Sequence, residues 1–161
     1  MDERKIDVFL TFIGVICLIS FPAFSAGAPA SKEAKQIVAL VDKAAALISS
    51  KGKNAFPEFK KKGSEWLTGE RYIFIVDMKG TTLMHAANPE LETKNTIDLK
   101  DANGKAFMRE FIETANKGSG WVDYMWPKPG EEKPAKKSAY VRSAKMPDGE
   151  TVLVGAGVYL K

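Results

Sequence analysis

The 161-residue chain contains one cysteine and one histidine, and these two scarcities exclude much chemistry. The cysteine, Cys17, lies inside the one long apolar run, residues 8–21. Arg4 and Lys5 precede that run, and Pro22 with the small residues Ala23, Ser25 and Ala26 follows it. This is the layout of a secretory leader, with cleavage expected after Ser25. Cleavage removes Cys17 and leaves no thiol for a disulfide, a nucleophile or a thiolate metal site. The run is short for a membrane span, but Asp2, Glu3 and Asp7 are unusual in a leader, so an uncleaved membrane anchor is the alternative. A single histidine without a cysteine is too few ligands for a metal centre. No Cys-x-x-Cys-His haem attachment and no Gly-x-Ser-x-Gly elbow occurs. Asp101-Ala102-Asn103-Gly104 opens like a calcium loop, yet its glycine comes too early and the closing glutamate is missing. No cofactor or metal is expected, nor is an internal repeat or a low-complexity stretch visible.

What remains is an ordinary globular composition, 45% hydrophobic and 27% charged. We expect a leader at residues 1–25, a linker at 26–30 and one domain at 31–161. Such a chain is long enough to stand on its own hydrophobic core. Net charge is +4, and basic clusters stand at Lys60-Lys61-Lys62 and at Lys133, Lys136 and Lys137. Export makes nucleic acid an unfitting partner, so these clusters read as solvated faces or a weak attraction for acidic ligands and head groups.

Ser31 is a good N-cap, and Ile37, Leu40, Val41, Ala44, Leu47 and Ile48 share a helical face that ends at Gly52. A shorter helical piece is expected over 54–62, with Phe56 and Phe59 inward. Tyr72-Ile73-Phe74-Ile75-Val76 is strand chemistry without polar alternation, so both of its faces should be covered. Gly80 turns it into a second strand that carries His85, and the covered hairpin is expected at the sheet's centre. Asn103 is expected to cap a helix with Phe107, Met108, Phe111, Ile112 and Ala115 on one face. Strands follow at 120–126, 136–144 and 151–160, the last interrupted by Gly155 and Gly157, which mark a close approach of backbone or ligand. The order predicts an α+β fold, a PAS-like five-stranded antiparallel sheet. A long N-terminal helix should pack on one face, and a shorter helix with loops on the other.

Several stretches carry a family resemblance. They are the run from Tyr72 to Gly80, His85, Asn88-Pro89-Glu90-Leu91, Lys94-Asn95 and Leu99-Lys100-Asp101-Ala102-Asn103-Gly104-Lys105. Gly120-Trp121-Val122-Asp123-Tyr124, Trp126-Pro127-Lys128-Pro129, Lys137-Ser138-Ala139-Tyr140-Val141 and Val154-Gly155-Ala156-Gly157-Val158-Tyr159 continue the series. In this order they resemble the extracellular single Cache domain, over nearly all of the chain after the leader. The resemblance implies a PAS-like sheet behind a long helix, and a pocket on that sheet for small metabolites such as short organic acids or amino acids. Most members are the sensor halves of chemoreceptors and kinases. Here the sequence stops at Lys161, just past the last strand, so a free periplasmic or secreted binding module is expected, read by a partner receptor, kinase or transporter.

Strand alternation puts Lys137 on one face with Ala139 and Val141, and Ser138, Tyr140 and Arg142 on the other. Val122, Tyr124 and Trp126 share a face. A short carboxylate needs a cation or amide donors, hydroxyl donors and an apolar wall; His85, Tyr124, Trp126, Lys137 and Tyr140 are the candidates. Each has an ordinary alternative: a solvated edge lysine, core aromatics, a satisfied half-buried histidine. The competing functional readings are a ligand-free structural or interaction module of the envelope, and an enzyme that uses His85 with a carboxylate. No catalytic role is expected.

Overall fold

The computed structural model describes residues 31–160. The leader, the linker at 26–30 and Cys17 lie outside the described residues.

Ser31 accepts the N–H of Ala34 through its hydroxyl and starts helix α1, Lys32–Lys51. Gly52, at φ 57°, ends it in the left-handed region that glycine tolerates best. Ile37, Val41, Ala44 and Ile48 form its buried stripe. The next piece is shorter than its sequence suggests. A 3-10 turn, Gly52–Ala55, leads into one helical turn, α2, Phe56–Phe59. Phe59 is fully buried there, its ring edge-on to Trp66 at 5.0 Å.

Two short strands, β1 Leu67–Thr68 and β2 Arg71–Tyr72, form a separate ribbon. The main sheet contains β3 Phe74–Asp77, β4 Thr82–His85, β5 Ser119–Pro127, β6 Pro134–Lys145 and β7 Thr151–Tyr159, in the order β4-β3-β7-β6-β5. All its pairings are antiparallel. The α+β, PAS-like fold expected from the element order is what the chain adopts. The hairpin β3–β4 is not central, however: it lies at one end, and β7 is the middle strand. Its apolar run, in β3, is buried between β4 and β7, and only the outer strand β4 needs another cover. Segment 93–96 bonds along the outer side of β4 through the N–H groups of Thr82, Thr93 and Thr96, so an end strand is hidden without a sheet partner.

Helix α1 packs on β6 and β7 from one side, where Asp42 pairs with Arg142. Helix α3, Phe107–Asn116, packs from the other against β5 and β6. Asn103 does not cap it. The helix begins at Phe107 without a side-chain cap. Asp101 holds the preceding turn instead, accepting the N–H groups of Asn103 and Lys105 on Oδ1 and of Met125 on Oδ2. Both carboxylate oxygens of the calcium-like stretch are thus taken by backbone donors. Desolvation is the largest single influence on the Asp101 pKa and raises it, but the three backbone bonds and the charge of Lys105 together outweigh it and hold the pKa below the usual carboxylate value.

Candidate functional site

The α3 face of the sheet gathers an aromatic group around one lysine. In register, Lys137 of β6 lies between Tyr124 of β5 and Tyr159 of β7. Tyr72 enters from the end of β2. The Lys137 side chain is 1% exposed. Its Nζ donates to the Tyr72 hydroxyl at 2.6 Å and lies 3.9 Å from the centre of that ring, 4.8 Å from Tyr159 and 6.0 Å from Tyr124. Gly157 makes the space: a Cβ there would stand 2.8 Å from Lys137 Cε and 2.6 Å from the Ser138 carbonyl oxygen.

Among the described residues, no ion pair includes Lys137. Burial pushes its pKa well below the ordinary lysine value. Glu70 pulls weakly the other way, but its carboxylate is engaged with Lys128 at 2.7 Å. The phenols around it are neutral. Burial raises the Tyr72 and Tyr124 pKa values well above the usual range, and that of Tyr159 to about 12. The Tyr72 hydroxyl accepts from Lys137, and Tyr159 and Trp126 are near enough to influence its pKa. Tyr159 in turn donates to the Pro127 carbonyl at 2.6 Å.

His85 closes the group from β4. It is 7% exposed, with its ring 4.9 Å from Tyr72 and 6.2 Å from Phe74. Its Nδ1 accepts the backbone N–H of Asn88 at 2.9 Å. That bond holds the ring neutral and leaves Nε2–H as a donor. Burial is the main cause that lowers its pKa to about 3, and Lys137 adds to the lowering whenever its amine carries a charge. The nearby carboxylate of Glu92 accepts the backbone N–H of His85 at 3.0 Å, and so serves the strand rather than the ring.

Two hollows meet at His85 and Trp126. The inner one, about 30 Å³, is walled by Phe74, Phe107, Met108, Phe111 and Tyr124 among others, and has room for about two waters. The outer one, about 200 Å³, lies between Tyr72, Asn88 and the loop 127–131. Lys137 lines neither directly and meets the outer hollow through Tyr72.

Of the five residues expected from the sequence, the structure brings together His85, Tyr124, Trp126 and Lys137. Tyr140 is not with them. It lies on the α1 face, 5.5 Å from the Trp121 ring, with its hydroxyl on Ser119 Oγ. Tyr72 and Tyr159 were not among the expected residues. Counting back from the Pro147-Asp148-Gly149 turn would have paired Tyr159 with Lys137. Tyr72 offered no such signal, because an aromatic run reads equally well as core.

Comparison with known proteins bears on the fold and the family. A methyl-accepting chemotaxis protein, McpP of Pseudomonas putida, is 36% identical over 90 residues, covering 55% of this chain and 16% of that protein. The sensor histidine kinase MctS of Rhizobium johnstonii is 35% identical over 89 residues, covering 55% of this chain and 19% of that protein. The chain thus spans less than a fifth of these curated relatives. A solved structure described as the basis for carboxylic acid recognition by a Cache chemosensory domain superposes with a TM-score of 0.66 at 28% identity, covering 80% of this chain and 94% of that one. With the Cache domain model matching residues 32–161, nearly the whole described chain, the protein belongs to the Cache domain family.

Proposed function

We propose that this domain is an exported sensory module that binds a short organic acid against Lys137. The observation that carries the reading is a fully buried amino group with no carboxylate partner among the described residues. Burying such a group is costly unless something of opposite charge joins it. The donors around it, His85 Nε2–H, the Trp126 indole N–H and the tyrosine hydroxyls, suit the two oxygens of a carboxylate. The apolar inner hollow suits a short aliphatic tail. One amino group and no acidic acceptor favour a monocarboxylate over a dicarboxylate or an amino acid.

An acid entering the outer hollow meets Tyr72, His85 and Trp126 first, and reaches Lys137 when the Tyr72 hydroxyl gives up its bond. Relatives that are a chemotaxis protein and a sensor kinase support a signalling role, and Cache domains are typically extracellular or periplasmic. A partner receptor, kinase or transporter would read the bound state. The tightness of the inner hollow favours the second reading, a ligand-free interaction module of the envelope.

Thermal-shift screening against two- to four-carbon acids and amino acids separates the two. A ligand at a hundred times its dissociation constant adds about 2.7 kcal/mol. The wild-type chain should respond to monocarboxylates and Lys137→Met should not. Equal responses from both proteins would remove Lys137 from the site, and a flat screen for the wild type would favour the ligand-free module.

A further inference from the structure

We infer that the acid binds together with a proton: Lys137 is an uncharged amine in the free protein and takes up a proton from solvent as the carboxylate enters. The inference rests on the reading that this site takes a short carboxylate, and it concerns the state in which the site waits.

The surroundings of Lys137 favour the neutral form in the free protein. Lys137 is 1% exposed and faces ring surfaces and hydroxyls. Every titratable group turned toward it is neutral near pH 7. From β2 comes Tyr72, from β5 Tyr124, from β7 Tyr159 and from β4 His85. The three phenols hold their protons because they are buried. The imidazole is kept neutral by the Asn88 N–H on its Nδ1. The one acid in range, Glu70, is half exposed and bonded to Lys128, whose own Nζ lies 5.7 Å from the Tyr159 ring. A charged ammonium here would have ring faces and one hydroxyl to offset burial, but no counter-ion among the described residues. An amine still donates to Tyr72 and carries no charge to desolvate.

A carboxylate reverses the balance. Placed against Nζ, it stabilises the ammonium, and the proton comes from bulk solvent because no neighbouring group has one to give near pH 7. The bound species is then a carboxylate–ammonium pair, formed from an anion, an amine and one proton. Thermodynamically this equals binding the undissociated acid. Occupancy follows the product of anion and proton concentrations, so the site reports the uncharged, membrane-permeant form of its ligand rather than the total. Over the range in which free Lys137 is neutral and the bound one charged, affinity falls about tenfold for each unit of rising pH.

Two measurements on the full chain test this. Side-chain nitrogen and Cε resonances of isotope-labelled lysine, with Lys137→Met used to assign the signal, should show a neutral amine at pH 7.5 in the ligand-free protein. An ammonium signal there overturns the inference. Calorimetric titration with sodium acetate and sodium propionate at pH 7.5, in phosphate, HEPES and Tris buffers, should give enthalpies that vary with buffer ionisation heat by close to one proton taken up per acid bound. Binding with no buffer dependence overturns proton uptake and leaves the binding reading intact. Absence of binding by every acid overturns both.

Discussion

Replacing Lys137 with methionine should make the empty protein more stable while abolishing its response to acids. Methionine keeps most of the stem and removes the buried amino group. In the unfolded chain Lys137 carries its proton up to about pH 10.4, whereas in the fold its pKa is depressed by burial. Each pH unit below 10.4, down to the folded pKa, costs the native state about 1.4 kcal/mol. The sign follows from the protons bound: the unfolded chain holds one more, so the wild-type protein gains stability as pH rises and the cost vanishes near pH 10. Exchanging a buried charge site for a hydrophobic one commonly stabilises by about 1–4 kcal/mol, and we expect that range at pH 7. Tyr72 loses the one donor that Lys137 supplies, which sets the offset. For a domain of this size each kcal/mol moves the melting temperature by about 4 °C. Urea unfolding at pH 7 and pH 10, followed by tryptophan fluorescence, measures both the gain and its disappearance. A variant less stable than wild type at pH 7, or a difference that does not change with pH, would show that Lys137 is a structural tie rather than a site held ready for an anion.

The remaining expectations concern the same face. His85 should stay neutral in the fold far into acid, its ring proton shifts unchanged from pH 8 to 5 by NMR. Because unfolded His85 protonates near pH 6.5 and the folded one only at about 3, this group's contribution to stability is present above pH 6.5 and drains away below it, by at most about 5 kcal/mol. An imidazole that titrates near 6.5 in the native state would refute its burial. Gly155→Ala places a methyl 2.6 Å from Cε2 of Phe74, a ring stacked on Phe111 at 5.6 Å, and should lower the urea midpoint by an amount equivalent to about 1–3 kcal/mol. Gly157→Ala meets the Ser138 carbonyl, which cannot turn aside, as well as Lys137 Cε. It should cost at least as much and weaken acid binding besides, whereas unchanged binding by calorimetry would separate Gly157 from the lysine's position.

Much of this molecule is written locally. Ser31, the apolar stripe through Ile48 and the closing Gly52 specify α1 through caps and helical period, which act within a few residues. Strand alternation alone put Lys137 on one face and Tyr140 on the other, and grouped Tyr124 with Trp126. The glycines at 155 and 157 signalled a close approach, though not of what. The place of the β3–β4 hairpin was not legible, because a covered strand reads alike whether a neighbouring strand or the segment 93–96 hides it. Asn103 failed as a cap because Asp101, two residues earlier, captured the local donors, and its second oxygen found Met125 far along the chain.

The sequence by itself therefore determined the elements, their faces and the family, since these depend on period, turn chemistry and the ordered succession of short runs. Only the tertiary structure decided that Lys137 is buried without a carboxylate, that Tyr72 and Tyr159 are its partners and that Tyr140 is not. The reason is physical. A lysine's charge state depends on the water and ions that reach it, and both are set by residues brought together from strands distant in the chain.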